Sequence, residues 1–494
     1  MAPAVQALKR GHVLVLGLIL AEILVVIWYF KYLPMVDLPQ HLFTAKVLTH
    51  YTDPTTAYDQ FFTKKFPWNP YASYFWFLMA LEPVIGVLNA TRLYLSLGLV
   101  LTIVAFAMWL REVLPDRQAL TVPATMLLLG LFFYVGLINY LFSIPFMFFS
   151  FALSYRLARK PEGKTEIALA FALLATYFSH VVTFAITLAV IGIQQLVVFR
   201  GRGLVQLIRA SAPSTALMAF YTLFALDRDV VALSWSYEPL IKRFEYLLMP
   251  FNVFADVVTS RWIFQSGTIA FWSVFVIVAI AGGRAKGRAK IFPALLIAVL
   301  LVLSTLAFPT MIAESSGAPR LSYPAAFALL ALLPVGWDAR PVLRAIVVLL
   351  CVVHPLVFAY GVASFQNEMA DLEKAIDAIP PHQAVQPVIT DLHSAQFRTY
   401  PYLHIAAWYN YYKGGTNPYL FTHVPHFPIR ERRRAFKNPP GEWAMTSFKY
   451  ETHQEGTDYF LVRSDRPDVI DDLTMHVPLL VTSGEWKVFG PNPK

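Results

Sequence analysis

Asp37 and His41 stand four residues apart in Asp37-Leu-Pro-Gln-His41, just past the first apolar stretch of the chain. Three jobs suit the Asp37 carboxylate there. It could take a proton from a hydroxyl as general base. It could hold a divalent cation, Mg or Mn, against a phosphate. Or it could cap the helix that begins at Pro39, since Asp favours the cap and Pro the first turn. His41 falls on the same face of that helix. It is a candidate to hydrogen-bond a phosphate or orient Asp37, with an ordinary interfacial histidine as the plain alternative.

A second pair, Glu314 and Arg320, lies in the short connection 311–324 between two apolar runs. A guanidinium there suits two-pronged contact with a phosphate. The alternatives are a snorkelling arginine or an ion pair with Glu314. Ser179-His180 and Asn139-Tyr140 mark two tight hairpin tips. They could line the same cavity, or simply satisfy backbone groups freed at the turns. Asp227, Arg228, Asp229, Trp235, Glu238, Lys242 and Arg243 form a charge-rich loop, 227–262, that could hold substrate or merely be solvated. His404, Trp408, Tyr409, Tyr411 and Tyr412 make an aromatic patch, suited to stacking on sugar rings or to a domain core. The basic run at 430–434 reads as solvated surface or headgroup contact.

These residues must be positioned by membrane helices. The chain is 57% hydrophobic and 14% charged, against about 25% charged in soluble domains. Its formal charge of +9 is spread in short clusters between apolar runs, which argues for a membrane protein and against nucleic acid. Cys351 is the single cysteine, so no internal disulfide or cysteine-built metal site forms. Apolar runs at 12–30, 93–110, 120–136, 138–157, 165–180, 181–199, 210–226, 264–282, 291–308, 322–337 and 343–362 predict about eleven spans. The first reads as an uncleaved signal anchor. With the amino terminus inside, the basic segments 111–117, 156–164, 200–209, 284–290 and 340–344 all fall inside. That holds only if the apolar stretch 71–88 does not cross, so it is expected to be a re-entrant or interfacial helix. The loop 31–92, with its juxtamembrane helices, and the carboxyl terminus then lie outside.

Residues 1–364 form the expected membrane domain and 365–494 a small α/β domain. In the latter, 368–379 predicts an amphipathic helix, and 388–390, 459–462 and 486–489 predict strands. There is no P-loop, GxGxxG, GxSxG, HExxH or EF-hand, so nucleotide hydrolysis, dinucleotide cofactors and zinc proteolysis have no support.

Four features occur in order: a single-span start, Asp37-Leu-Pro-Gln-His41 opening a helix, Asn69-Pro70 then Tyr74 opening a non-crossing one, and Ala90-Thr-Arg-Leu93. Together they resemble the amino-terminal third of GT-C type membrane glycosyltransferases, in their bacterial branch with an Asp-x-Pro-x-His first loop. Where many relatives carry paired acids, this chain has Asp37 with His41. The resemblance implies an inner-membrane enzyme with a periplasmic carboxyl-terminal domain. Such an enzyme moves a sugar from a polyprenyl-phosphate carrier to a glycan, lipid or protein acceptor. It also implies that Asp37 acts as base or metal ligand, and that a basic residue, here Arg320, binds the carrier phosphate; Glu314 and His180 are further candidates for that phosphate site. The rival reading is a non-enzymatic transporter or assembly subunit whose outer domain docks a partner. Convergence of Asp37, His41, His180 and Arg320 would separate the two.

Overall fold

The computed structural model describes residues 2–65, 69–225, 235–251, 291–312, 315–333, 340–397, 399–424, 426–433 and 435–493. Glu314, the expected span 264–282 and most of the 227–262 loop lie outside these residues. Five of the described helices are long and apolar enough to cross a membrane: Gly11–Tyr29, Ala72–Val113, Pro115–Val135, Ile138–Arg159 and Pro341–Ala378. Val181–Val197 and Phe292–Ala307 are shorter apolar helices. The bundle turns apolar side chains outward at helical spacing. Leu295, Val299 and Leu303 line one such exposed face, and Leu349, Val353 and Leu356 another. Stripes of this kind suit lipid, which asks for no polar partner. The inner faces pack aromatic side chains. The Phe106 ring lies 5.6 Å from Phe148 and 5.3 Å from Phe327, edge to face in both cases.

Two elements differ from their sequence patterns, and a third, 71–88, runs into the next apolar helix across a kink. The expected interfacial helix 71–88 is the first limb of Ala72–Val113. The two limbs are separated at Gly86, where φ 75° and ψ 161° lie outside any helix. The span expected at 120–136 is built from 3-10 turns, Pro115–Leu120 and Thr125–Leu129, around the single turn Thr121–Ala124. Pro115 and Pro123 remove backbone donors here, and near-complete burial holds the irregular path in place. The helix expected at 368–379 is no separate element. It is the end of Pro341–Ala378, which runs unbroken through the 364/365 boundary.

The carboxyl-terminal sheet has four strands in the order Val385–Ile389, Tyr459–Arg463, Trp486–Phe489, Leu479–Ser483. The first pair is parallel and the others antiparallel. This domain is stitched to the first loop. Phe62–Lys64 pairs antiparallel with Ile429–Glu431. Gln40 donates to Tyr419 O at 2.9 Å and accepts from Phe421 N at 3.2 Å. Tyr58 Oη donates to Asn410 O at 2.9 Å, and Lys46 Nζ to Tyr411 O at 2.7 Å.

The basic run is not a solvated surface at its start. Arg430 Nη1 points its two N–H groups into a ring of four carbonyls, those of Thr422, Val424, Phe427 and Ile429, at 2.8–3.2 Å. Arg432 Nε donates to Asp59 O and Phe62 O at 2.7 and 3.0 Å. Both guanidinium groups clasp loops. The aromatic patch is mostly core: Trp408 and Tyr409 are buried, and Trp408 stacks on Tyr412 at 5.6 Å.

Candidate functional site

Asp37 occupies the N-cap position of the helix Leu38–Thr49, but its side chain makes no capping hydrogen bond. The capping alternative is therefore not how the carboxylate is used. Its backbone is pinned instead. Asp37 N donates to Val135 O at 3.0 Å, and Val36 N to Tyr134 O at 2.9 Å, against the tip at Gly136. Gly136 has φ +86°, and a Cβ there would stand 3.0 Å from Asp37 N. Left-handed backbone costs a residue with a side chain roughly 1–2 kcal/mol, and the contact adds to that. Gly136→Ala is expected to lower the melting temperature in detergent by several degrees and to displace Asp37. Gly163→Ala, where a Cβ meets nothing within 4 Å, should leave it unchanged.

Held in this way, the Asp37 carboxylate faces residues from two distant parts of the chain. Its Oδ1 lies 3.4 Å from His404 Nε2, and His404 Nδ1 lies 2.8 Å from Glu442 Oε1. The charge of Arg320 also acts on Asp37. Arg320 enters from the start of the helix Ala318–Ala331. Its backbone oxygen accepts from Tyr140 Oη, and its Nη1 lies 3.1 Å from His180 Nε2.

His180 caps the helix Val181–Val197, with Nδ1 3.2 Å from Thr183 N and 3.0 Å from Thr183 Oγ1. The cap and the Arg320 contact ask for opposite tautomers of a neutral ring.

Tyr71 and His426 complete the cluster. The Tyr71 ring lies 4.2 Å from His426 and 5.3 Å from His180. Asn69 sets both: its Oδ1 accepts from Tyr71 N at 3.0 Å, and its Nδ2 donates to His426 O at 2.6 Å. Asn139, at the hairpin tip, donates through Nδ2 to Tyr71 O at 3.2 Å and accepts from Tyr74 N at 3.3 Å.

His41 is placed differently from its expected role. Its ring stacks on Phe427 at 5.6 Å and meets the edge of Tyr74 at 5.6 Å. Nδ1 is buried without a hydrogen-bond partner among the described residues. Its backbone N–H bonds Asp37 O in the helix, but the ring that meets the Asp37 carboxylate is His404. The orienting position foreseen for His41 is thus occupied from the carboxyl-terminal domain.

Burial and neighbouring charge set the protonation states. Burial pushes the Asp37 carboxyl up; His404 and Arg320 pull it partly back, Glu442 adds a smaller rise, and it settles at about 6. Burial pushes His41 down to about 3, with His404 adding to the fall. His426 also falls to about 3, through burial and then the charges of Arg320 and its neighbours. Burial works against the charged form of His404, but Glu442 and Asp37 outweigh it and raise its pKa above the ordinary value.

A Mg or Mn ion asks for several oxygen ligands. Among the described residues no group of three or more His, Cys, Asp or Glu is arranged to hold a metal ion. The carboxylates of Asp37 and Glu442 face opposite nitrogens of the His404 ring, which stands between them.

The fold is a polytopic helical bundle with a small carboxyl-terminal sheet. It is shared with the crystal structure of ArnT from Cupriavidus metallidurans in the apo state. The TM-score is 0.54 at 12% identity, over 99% of this chain and 100% of that one. The arabinofuranosyltransferase AftD from Mycobacteria aligns at TM-score 0.45 and 13% identity, over 97% of this chain and 40% of its own. No protein-family model and no curated protein matches the sequence.

Proposed function

We propose that this protein is a membrane glycosyltransferase that moves a sugar from a polyprenyl-phosphate carrier to a hydroxyl acceptor on the outer face of the membrane. One observation carries the reading: Asp37, at a cap position, leaves its helix uncapped and shares a partly exposed cluster with Arg320. The GT-C fold supports the class of reaction.

In the proposed step the acceptor oxygen bonds to the anomeric carbon. The bond from that carbon to the phosphate oxygen breaks, and its electrons stay on the phosphate. The hydroxyl proton passes to Asp37. Arg320 meets the growing phosphate charge with a fixed positive one, as preorganised groups do where charge develops. His180 holds Arg320 in place from behind. With a pKa of about 6, Asp37 is ionised at neutral pH yet basic enough to take a proton.

The test is direct. Purified protein in lipid vesicles is supplied with a panel of polyprenyl-phosphate pentoses and hexoses and with hydroxyl acceptors. Release of free polyprenyl phosphate with at least one donor is expected. Absence of release across the panel, together with no binding of polyprenyl phosphate itself, removes the reading.

A further inference from the structure

The membrane helices do not complete the site. His404 follows the sheet's first strand by only a short stretch of chain, and Glu442 lies further along the same domain. His404 is buried, and its two ring nitrogens face two carboxylates, Glu442 at 2.8 Å and Asp37 at 3.4 Å. Its ring is wedged edge-on against Phe421 at 4.8 Å. Phe421 N in turn is bonded to Gln40, on the same helix as Asp37. A ring fixed in this way cannot turn away from either carboxylate.

We infer that His404, clamped by Glu442, is a positioning residue that aims the Asp37 carboxylate and sets the pH at which it accepts a proton. The carboxyl-terminal domain then supplies part of the active site. This rests on Asp37 being the base, as proposed above. One oxygen of Asp37 faces His404, which leaves the other to meet the acceptor hydroxyl. The remaining groups around the pair are accounted for. Arg320 is a fixed positive charge. His41 and His426 are held neutral by burial. The Val135–Gly136 tip presents backbone to Asp37.

Two variants test the inference through the pH profile of kcat/KM. His404→Gln keeps a hydrogen-bond donor and loses the charge. Its acid limb should move up by about one pH unit, the usual effect of removing a close opposite charge. Glu442→Gln gives the sharper answer, because two accounts predict opposite signs. Were Glu442 only a negative charge near Asp37, removing it would move the limb down. Acting through His404, its removal leaves a buried imidazole without its nearest carboxylate. That ring goes neutral, and the limb moves up. An upward shift in both variants supports the inference. A downward or absent shift in Glu442→Gln overturns it, while wild-type turnover that Asp37→Asn abolishes keeps the transferase reading intact.

A second measurement needs no turnover. The 15N shifts of the His404 ring, assigned with His404→Gln, should read mostly imidazolium at pH 6 in the wild type, because its pKa is raised above the ordinary value, and shift toward neutral imidazole in Glu442→Gln. A neutral ring in the wild type overturns the inference whatever the enzyme transfers.

Discussion

Asp37→Asn is expected to cut turnover by a factor of about 10²–10⁴, the range a general base contributes, while the protein inserts and folds as before. The substitution keeps the size of the side chain. It also removes no cap, because the Asp37 carboxylate makes none. The backbone bond from Asp37 N to Val135 O, which pins the loop to the hairpin tip, is untouched. Carrier affinity should stay within a few fold of wild type or rise slightly, since Arg320 loses a neighbouring negative charge. Release of polyprenyl phosphate under saturating donor is the measurement. A kcat within a few fold of wild type would remove Asp37 from the chemistry.

The wild-type pH profile should carry the same signature. The Asp37 carboxyl is raised to about 6, so it is about nine-tenths ionised at pH 7 and loses its role as base below that value. Activity should fall on the acid side with a midpoint near 6, roughly two units above an ordinary aspartate. A midpoint near 4 would mean that burial and the Glu442 charge do not act on the working group.

Much of this site was legible because its chemistry sat beside strong patterns. Asp37 stands between an apolar run and a proline-started helix, which marks a membrane edge. Arg320 stands in a short connection where a lone guanidinium has little reason to be. The strands Tyr459–Arg463 and Trp486–Phe489 show in β-branched and aromatic runs. The rest had no such signal. Leu479–Ser483 is an edge strand with most of its side chains exposed, so its pattern does not alternate. His404 sits among aromatic residues and reads as core, and in burial it is. What makes it functional is a carboxylate brought in from the first loop, a pairing fixed by the fold and by no local spacing. Arg430 misleads in the other sense. A basic run suggests solvent, whereas the guanidinium is turned onto the backbone carbonyls of the surrounding turn.

Arg320→Ala should weaken binding of polyprenyl phosphate roughly 10- to 150-fold, from the loss of a charge-assisted contact of about 1.5–3 kcal/mol. It should also move the acid limb of kcat/KM upward, because the Arg320 charge is one of those holding the Asp37 carboxyl down. Arg320→Lys separates the two effects. It keeps the charge beside Asp37, so the limb stays near the wild-type midpoint. It loses the planar fork that grips a phosphate with two parallel bonds, so affinity still falls. The contact that Tyr140 makes with the backbone oxygen of Arg320 survives in both, whereas Arg320→Ala also removes the side chain's contact with His180. Calorimetric titration of polyprenyl monophosphate into detergent-solubilised protein gives the affinities, and the turnover assay gives the limb. If Arg320→Ala binds the carrier as tightly as the wild type, the guanidinium does not hold its phosphate. The carrier would then have to be anchored by other residues.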